Sequence, residues 1–351
     1  MIDVVITMSD QALDETQLTT GITSPFLPGT KLQFAWDSTS LGYLKQCPRL
    51  YQYIMIDGWS GGEESPHLRF GSEFHAALEL FDRLMAEGSY RETALIDTVK
   101  ATLQRVKEWN PDRESKAGHY KNPETLLALV IDYLDNFSDD PCKTYIKADG
   151  TPAVELSFRF ELDWGPEAGQ CNIGLEPGDV GYPGPAYESQ PYLLSGHLDR
   201  VVDFNDQLLV MDRKTTTTTL GAYYFNKYEP NNQMSLYILA GRILLQAPIR
   251  GVIIDAAQIK LQEPNAFARG FTFRTEDQLQ EWLEDLRTLL SMNEVYSAND
   301  YWPMNDTACD NFGGCRFREI CSKSPSVREK FLAAKFTKLP ESERWNPLKP
   351  R

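Results

Sequence analysis

No apolar run in this 351-residue chain approaches the roughly 20 residues a helix needs to cross a bilayer, so no membrane partner is expected. The opening stretch Met1–Ile6 lacks both a basic leader and an apolar segment of signal length, so the protein is expected in the cytoplasm rather than secreted. Cysteine is scarce: six residues are too few for a disulfide scaffold. With 23 Gly and 21 Pro in a chain that is 42% hydrophobic, collagen-like and wholly disordered readings drop out. A G-x-x-x-x-G-K-[ST] phosphate loop is absent, so ATP-driven motor work would have to come from another chain. Positive charge is also short, at 35 Lys and Arg against 50 Asp and Glu, a net −15 that argues at first against a nucleic-acid partner.

The charge is unevenly spread. From Cys315 to Arg351 there are 10 basic residues, Arg316, Arg318 and Lys323 among them, and four acidic ones, a local +6 that leaves −21 on the first 314 positions. A local basic stripe meets phosphates whatever the net charge, so nucleic acid stays open as a partner. Residues 1–30 read as a loosely held arm, and 326–351 as a basic tail.

Between them, Ser38 is the expected cap of a first helix that contains Cys47 and is distorted by Pro48. Apolar residues at three- and four-residue spacing predict helices over 70–87, 90–109 and 123–137. After Gly150 the period shortens. Residues 153–162 read as a strand, and 192–204 with 207–212 as a hairpin turning at Asn205-Asp206. The intervening 164–191 holds 11 Gly or Pro in 28 residues, a long irregular loop. A helix over 231–246, strands over 251–261 and 270–273, and a helix over 275–296 follow. Helices first, a small sheet in the middle and helices after it make an α/β domain.

The most informative stretch runs from Leu194 to Thr216. On a strand, positions two apart share a face, so Asp212 and Lys214 project together, and Asp199 on the preceding strand can reach the same place. Two carboxylates beside one ammonium make a hard-oxygen site for Mg²⁺ or Mn²⁺, with the lysine steadying developing negative charge. Alone, an Asp-x-Lys pair is more often a surface ion pair. Upstream, Gly71, His75 and Glu79 share one helix face at four-residue spacing. Downstream, Gln233 and Tyr237 stand one turn apart, and Glu155 opens the first strand. Taken singly, each of these is ordinary helix or strand chemistry.

The ordered set G-x-x-x-H-x-x-x-E, a strand Glu, G-x-x-D, D-x-K and Q-x-x-x-Y resembles the RecB-like branch of the PD-(D/E)XK nucleases over residues 34–325. The resemblance implies a restriction-endonuclease-like core, a small mixed central sheet flanked by helices, over residues 31–300, with a helical N-terminal portion. It makes His75, Asp199 and Asp212 metal ligands, all three catalytic together with Lys214, and puts Gln233 and Tyr237 on a DNA-contacting helix. Glu155 falls on a frequent acidic position of less certain role, and the role of Glu79 is open. Arg316 and Arg318 become candidate DNA contacts.

One cysteine before the core and three after it, Cys47 with Cys309, Cys315 and Cys321 in the 301–325 segment, resembles the iron–sulfur staple of CRISPR-associated RecB-like exonucleases, the AddB nuclease domain and exonuclease V. A [4Fe–4S] cluster is the implied cofactor, and structural Zn²⁺ on the same four thiolates is the alternative. The last three are spaced C-x5-C-x5-C, where the relatives more often have C-x2-C-x5-C. The implied activity is a metal-dependent DNase, an exonuclease on single strands or DNA ends in recombination, repair or phage DNA processing. A helicase or recombination partner would be another chain. A catalytically silent DNA-end-binding scaffold is the alternative, and a complete set of site residues counts against it.

Overall fold

The computed structural model describes residues 23–62, 65–166 and 190–349. In chain order the elements are β1 (Ala35–Trp36), α1 (Ser38–Gln46), α2 (Pro48–Tyr51), a π-helical turn (Gln52–Ile56), β2 (Trp59–Ser60), α3 (Pro66–Ala86), α4 (Arg91–Val106), α5 (Lys116–Tyr120) and α6 (Pro123–Asn136). There follow β3 (Lys143–Thr144), β4 (Val154–Glu161), β5 (Leu193–Phe204), β6 (Gln207–Thr216), α7 (Ala222–Asn226) and α8 (Asn232–Leu245). The chain continues through β7 (Gly251–Gln258), β8 (Ala266–Phe273), α9 (Glu276–Ala298), α10 (Arg318–Cys321), α11 (Pro325–Lys335) and β9 (Thr337–Lys338). The chain divides into two compact units, Met1–Glu63 with Ser157–Gly196 and Gln280–Arg351 as the first, and Glu64–Leu156 with His197–Leu279 as the second.

The second unit carries a mixed sheet between helices, the expected α/β class. β5 and β6 are antiparallel, and Asn205 and Asp206 turn the hairpin at φ 52° and 60°. Two successive residues in the left-handed region are what a tight type I′ turn requires, and Asn and Asp tolerate that region better than most. β6 then runs parallel to β7, so a crossover is needed, and α7 and α8 provide it. β7 is buried along its whole length, as a strand covered on both faces should be, and β8 closes the sheet antiparallel to it. Phe70, Phe74, Ala77 and Leu78 repeat at helical spacing on α3 and pack with Leu126, Val130 and Tyr133 of α6. Proline at the first position of both helices suits an end whose N–H has no partner.

In the first unit, β1 pairs in parallel with the start of β5, and β2 pairs with β9. The cap of α1 is Asp37 rather than Ser38. Its carboxylate accepts from the Ser40 amide at 2.8 Å while the Ser40 hydroxyl returns to the Asp37 amide at 3.1 Å, a reciprocal box that Ser38 cannot form one residue later. Pro48 opens α2 instead of distorting α1, because Cys47 between them is fully extended. Of the expected N-terminal arm, residues 1–22 lie outside the described residues. In the rest of it Leu27 is buried and Phe26 bridges to Gln33. The C-terminal stretch is likewise held down: β9 pairs, Leu348 is buried and the Trp345 indole donates to Asp37 at 2.9 Å. Most of the Gly/Pro-rich loop, 167–189, lies outside the described residues.

Candidate active site

His75, Glu79, Glu155, Asp199, Asp212, Lys214, Gln233 and Tyr237 all fall in the second unit. The β5–β6 ladder ends at Arg200–Met211, and the next residue of each strand is an aspartate. Asp199 is buried and its Oδ2 accepts the backbone N–H of Arg213 at 2.8 Å. Its Oδ1 lies 3.3 Å from Nδ1 of His75. The other ring nitrogen of His75 meets the carbonyl of Arg213 at 3.0 Å. A carbonyl only accepts, so Nε2 carries a hydrogen, and Nδ1, whose proton the Asp199 carboxylate favours, is the nitrogen that offers a lone pair once a cation displaces that proton. That is the arrangement of a metal-binding histidine, whose second nitrogen is fixed by an outer partner.

Glu155 completes a triad. One ligand atom each from His75, Glu155 and Asp199 lies within 4.8 Å of the others. Glu155 also sits at φ 48°, a backbone conformation that a non-glycine residue adopts at a cost and that concentrates where a side chain must be aimed. The Arg83 guanidinium donates to the carbonyl of the preceding Val154 at 3.2 Å and pairs with Glu79 at 2.9 Å. Glu79 therefore braces the strand that carries Glu155 and is not grouped with the triad itself.

Asp212 stands beside the triad. Its Oδ1 accepts from Lys214 Nζ at 3.0 Å; its Oδ2 is buried and receives no hydrogen bond, although Nζ lies 2.9 Å away. Lys214 donates onward to Gln233 Oε1 at 3.1 Å, and Gln233 Nε2 donates to the Tyr237 hydroxyl at 3.0 Å. Alternation along β6 turns Arg213 the other way, where it pairs with Asp82 of α3 at 2.6 Å. The main chain of Arg213 thus holds both Asp199 and His75 while its side chain is anchored in the interior.

The charges are unequal in a useful way. Burial would raise the Asp199 carboxyl, but His75, Lys214 and the Arg213 amide outweigh it and hold it well below the usual carboxylate range. Burial raises Asp212, with the Asp199 charge adding to it. Burial would lower Lys214, but Asp212 and Asp199 reverse that, so its ammonium stays charged at neutral pH. For His75 too, burial lowers and the Asp199 carboxylate more than compensates. A buried pair of aspartates with His75 and Glu155 beside them is a set of oxygen and nitrogen ligands that a hard divalent cation satisfies.

The four cysteines singled out in the sequence all fall in the first unit. The thiols of Cys309 and Cys321 are raised by burial first, and then by the nearby Cys315 and Cys47 sulfurs. Leu50, Tyr53, Phe317 and Ile320 form an apolar cluster against which Cys47, Cys315 and Cys321 pack. The Asn305 amide donates to the Cys47 sulfur at 3.3 Å. Arg316 and Arg318 are exposed in the same unit, the latter paired with Asp310. The sequence reading missed Arg83, Asp82 and Arg213. Only Arg213 carried a local signal, as the residue between Asp212 and Lys214.

A family model described as the PD-(D/E)XK nuclease superfamily matches residues 38–322. No curated protein matches the chain. Among solved structures, a candidate exonuclease from Eubacterium rectale is similar at 11% identity and a TM-score of 0.43, over 85% of this chain and 92% of that one. Among the described residues, no helix is long and apolar enough to cross a membrane.

Proposed function

Because the chain belongs to the PD-(D/E)XK nuclease superfamily, we propose that it is a Mg²⁺- or Mn²⁺-dependent DNase that works as an exonuclease on DNA ends or single strands, in recombination, repair or phage DNA processing. The observation that carries this reading is the convergence of His75, Glu155 and Asp199 beside the Asp212–Lys214 pair. His75, Glu155, Asp199 and Asp212 would hold the cation, which when bound supplies Lewis-acid polarisation of the phosphodiester. The remaining work falls to the protein. Lys214, kept charged by the two aspartates and aimed by Gln233, faces the negative charge that grows as the phosphodiester bond breaks. Tyr237 fixes the amide of Gln233, so that its oxygen, not its nitrogen, is turned toward the lysine. Arg316 and Arg318 are proposed to contact phosphates.

End-labelled single- and double-stranded DNA, incubated with Mg²⁺ or Mn²⁺, tests the reading. Cation-dependent release of short products from linear DNA is expected, with sealed circles spared. No hydrolysis of any DNA with either ion would overturn it.

For the first unit the proposed cofactor is a [4Fe–4S] cluster on Cys47, Cys309, Cys315 and Cys321. Cys47, Cys315 and Cys321 pack on one apolar cluster, and the Cys309 and Cys321 thiols, raised first by burial, also feel the charge of Cys315 and Cys47, a grouping that thiolate-bound iron would use. Such a group would close a loop of about 260 residues and stabilise the fold. Protein prepared without oxygen should then be brown, and Cys47→Ser should bleach it and lower the melting temperature by ~5 °C or more. Stoichiometric zinc without iron would overturn the cluster.

A further inference from the structure

The stretch that follows the catalytic strand, Tyr223-Tyr224-Phe225-Asn226-Lys227-Tyr228, has no part in the chemistry above, yet it is the most aromatic segment of the chain. Phe225 anchors α7 on the sheet. It sits where a Cβ on Gly270 of β8 would stand, 2.3 Å from its ring, so only glycine admits it. Tyr224 and Tyr228 are buried one helical turn apart, with their hydroxyls 3.5 Å from each other. The ammonium of Lys227 lies over both rings, 3.9 Å from the centre of Tyr224 and 4.9 Å from that of Tyr228. Two ring faces hold this cation in place without neutralising it.

By register, Asp212, Ile254 and Gly270 form one row across β6, β7 and β8, so Phe225 seats Lys227 on the face of the sheet that carries Asp212. The ammonium of Lys227 is lowered by burial first and then by the charge of Lys214, and Tyr224 is influenced by both Lys214 and Asp212. Tyr223 lies four residues before Lys227, hence on the same face of the helical turn, and it is 89% exposed. An interior-sized ring is left in water beside a fixed positive charge, on a helix anchored two strands across the sheet from Asp212.

We propose that Tyr223 and Lys227 form a subsite for one nucleotide of single-stranded DNA next to the scissile phosphate, the ring stacking on an unpaired base and the ammonium meeting the adjoining phosphate. The inference rests on the nuclease reading and extends it to substrate class. A paired base in a duplex already has both faces covered by its neighbours, so an exposed ring gains little there. An unpaired base offers a free face, and such stacking is sequence-tolerant. Lys227 supplies the charge complementarity that an exposed ring alone would lack.

The test is binding of a 2-aminopurine-labelled oligothymidylate, followed by fluorescence without divalent cation so that hydrolysis plays no part. An unlabelled duplex of equal length is measured by competition. Tyr223→Ala should weaken single-strand binding roughly 5- to 100-fold and leave the duplex within about twofold, and Tyr223→Trp should restore it. Lys227→Met should reduce the salt dependence of single-strand binding by about one ion. Tyr223 is exposed, and an unchanged melting temperature will confirm that Tyr223→Ala folds. Equal affinity of wild type and Tyr223→Ala, equal loss on single strand and duplex, or no single-strand binding by the wild type would each overturn the subsite. Tyr223-dependent binding by a wild type that hydrolyses nothing with Mg²⁺ or Mn²⁺ would uphold the subsite and overturn the nuclease reading instead.

Discussion

Asp199→Asn should slow DNA hydrolysis by about 10³-fold or more while the protein stays folded. The carboxylate makes three commitments at once: Oδ2 takes the Arg213 amide, Oδ1 faces His75, and both belong to the set that Glu155 completes. Asparagine keeps the size and one acceptor oxygen, so the amide bond survives and the strand end should hold. What it loses is the charge that raises His75 and Lys214, and with it most of the attraction for a cation. Lys214→Met should cost a similar factor for a different reason, since Asp212 would lose its paired ammonium and the breaking phosphodiester its positive charge. Groups that act as one unit do not add, so the double variant should be little worse than either single one. Rates on end-labelled DNA across a Mn²⁺ titration, with melting temperatures alongside, are the measurement. Asp199→Asn retaining activity within tenfold of wild type would mean that the reaction runs elsewhere.

Much of this site is short-range in sequence, and that part was readable. Asp212 and Lys214 two apart on a strand, Gln233 and Tyr237 one turn apart on a helix, and a turn at Asn205-Asp206 that returns Asp199 to Asp212 all follow from local periodicity. His75 was placed by its spacing from Gly71 and Glu79, but the same spacing put Glu79 in doubt, and the structure gives it to Arg83. Glu155 shows where periodicity stops being informative. Its place in the triad depends on a left-handed backbone at one strand residue, and no neighbouring glycine or turn signal marks it. Capping went astray by one residue for a related reason. Ser38 and Asp37 are both good caps, and the choice was decided by the return bond from Ser40. The interior support of the site was the least legible. Asp82 and Arg213 are 131 residues apart, and nothing local says that they meet.

That hidden pair carries the largest expected effect on stability. Asp82→Ala should cost about 3–5 kcal/mol, because it removes the carboxylate in direct contact with a buried guanidinium and leaves it only the longer-range charge of Asp255. Arg213 is 2% exposed, its Nε already has no hydrogen-bond partner, and Tyr133 faces it only through the ring, 6.0 Å away. Arg200, 3.7 Å from the same Asp82 oxygen, would lose part of its own compensation. The cost is therefore that of an orphaned charge, not of one lost bond, and a control separates the two. Asp82→Leu combined with Arg213→Met removes both charges and keeps an apolar filling, so it should recover most of the lost stability. Activity then reports on the other function of Arg213. Its amide and carbonyl, not its side chain, hold Asp199 and His75. The double variant should accordingly fold and keep much of its nuclease rate, whereas Asp82→Ala should lose rate in proportion to unfolding. Denaturant melts of the three proteins decide the matter: if Asp82→Ala falls within 1 kcal/mol of wild type, the pair does not brace the strand, and the backbone of Arg213 must be fixed by the β6–β7 ladder alone.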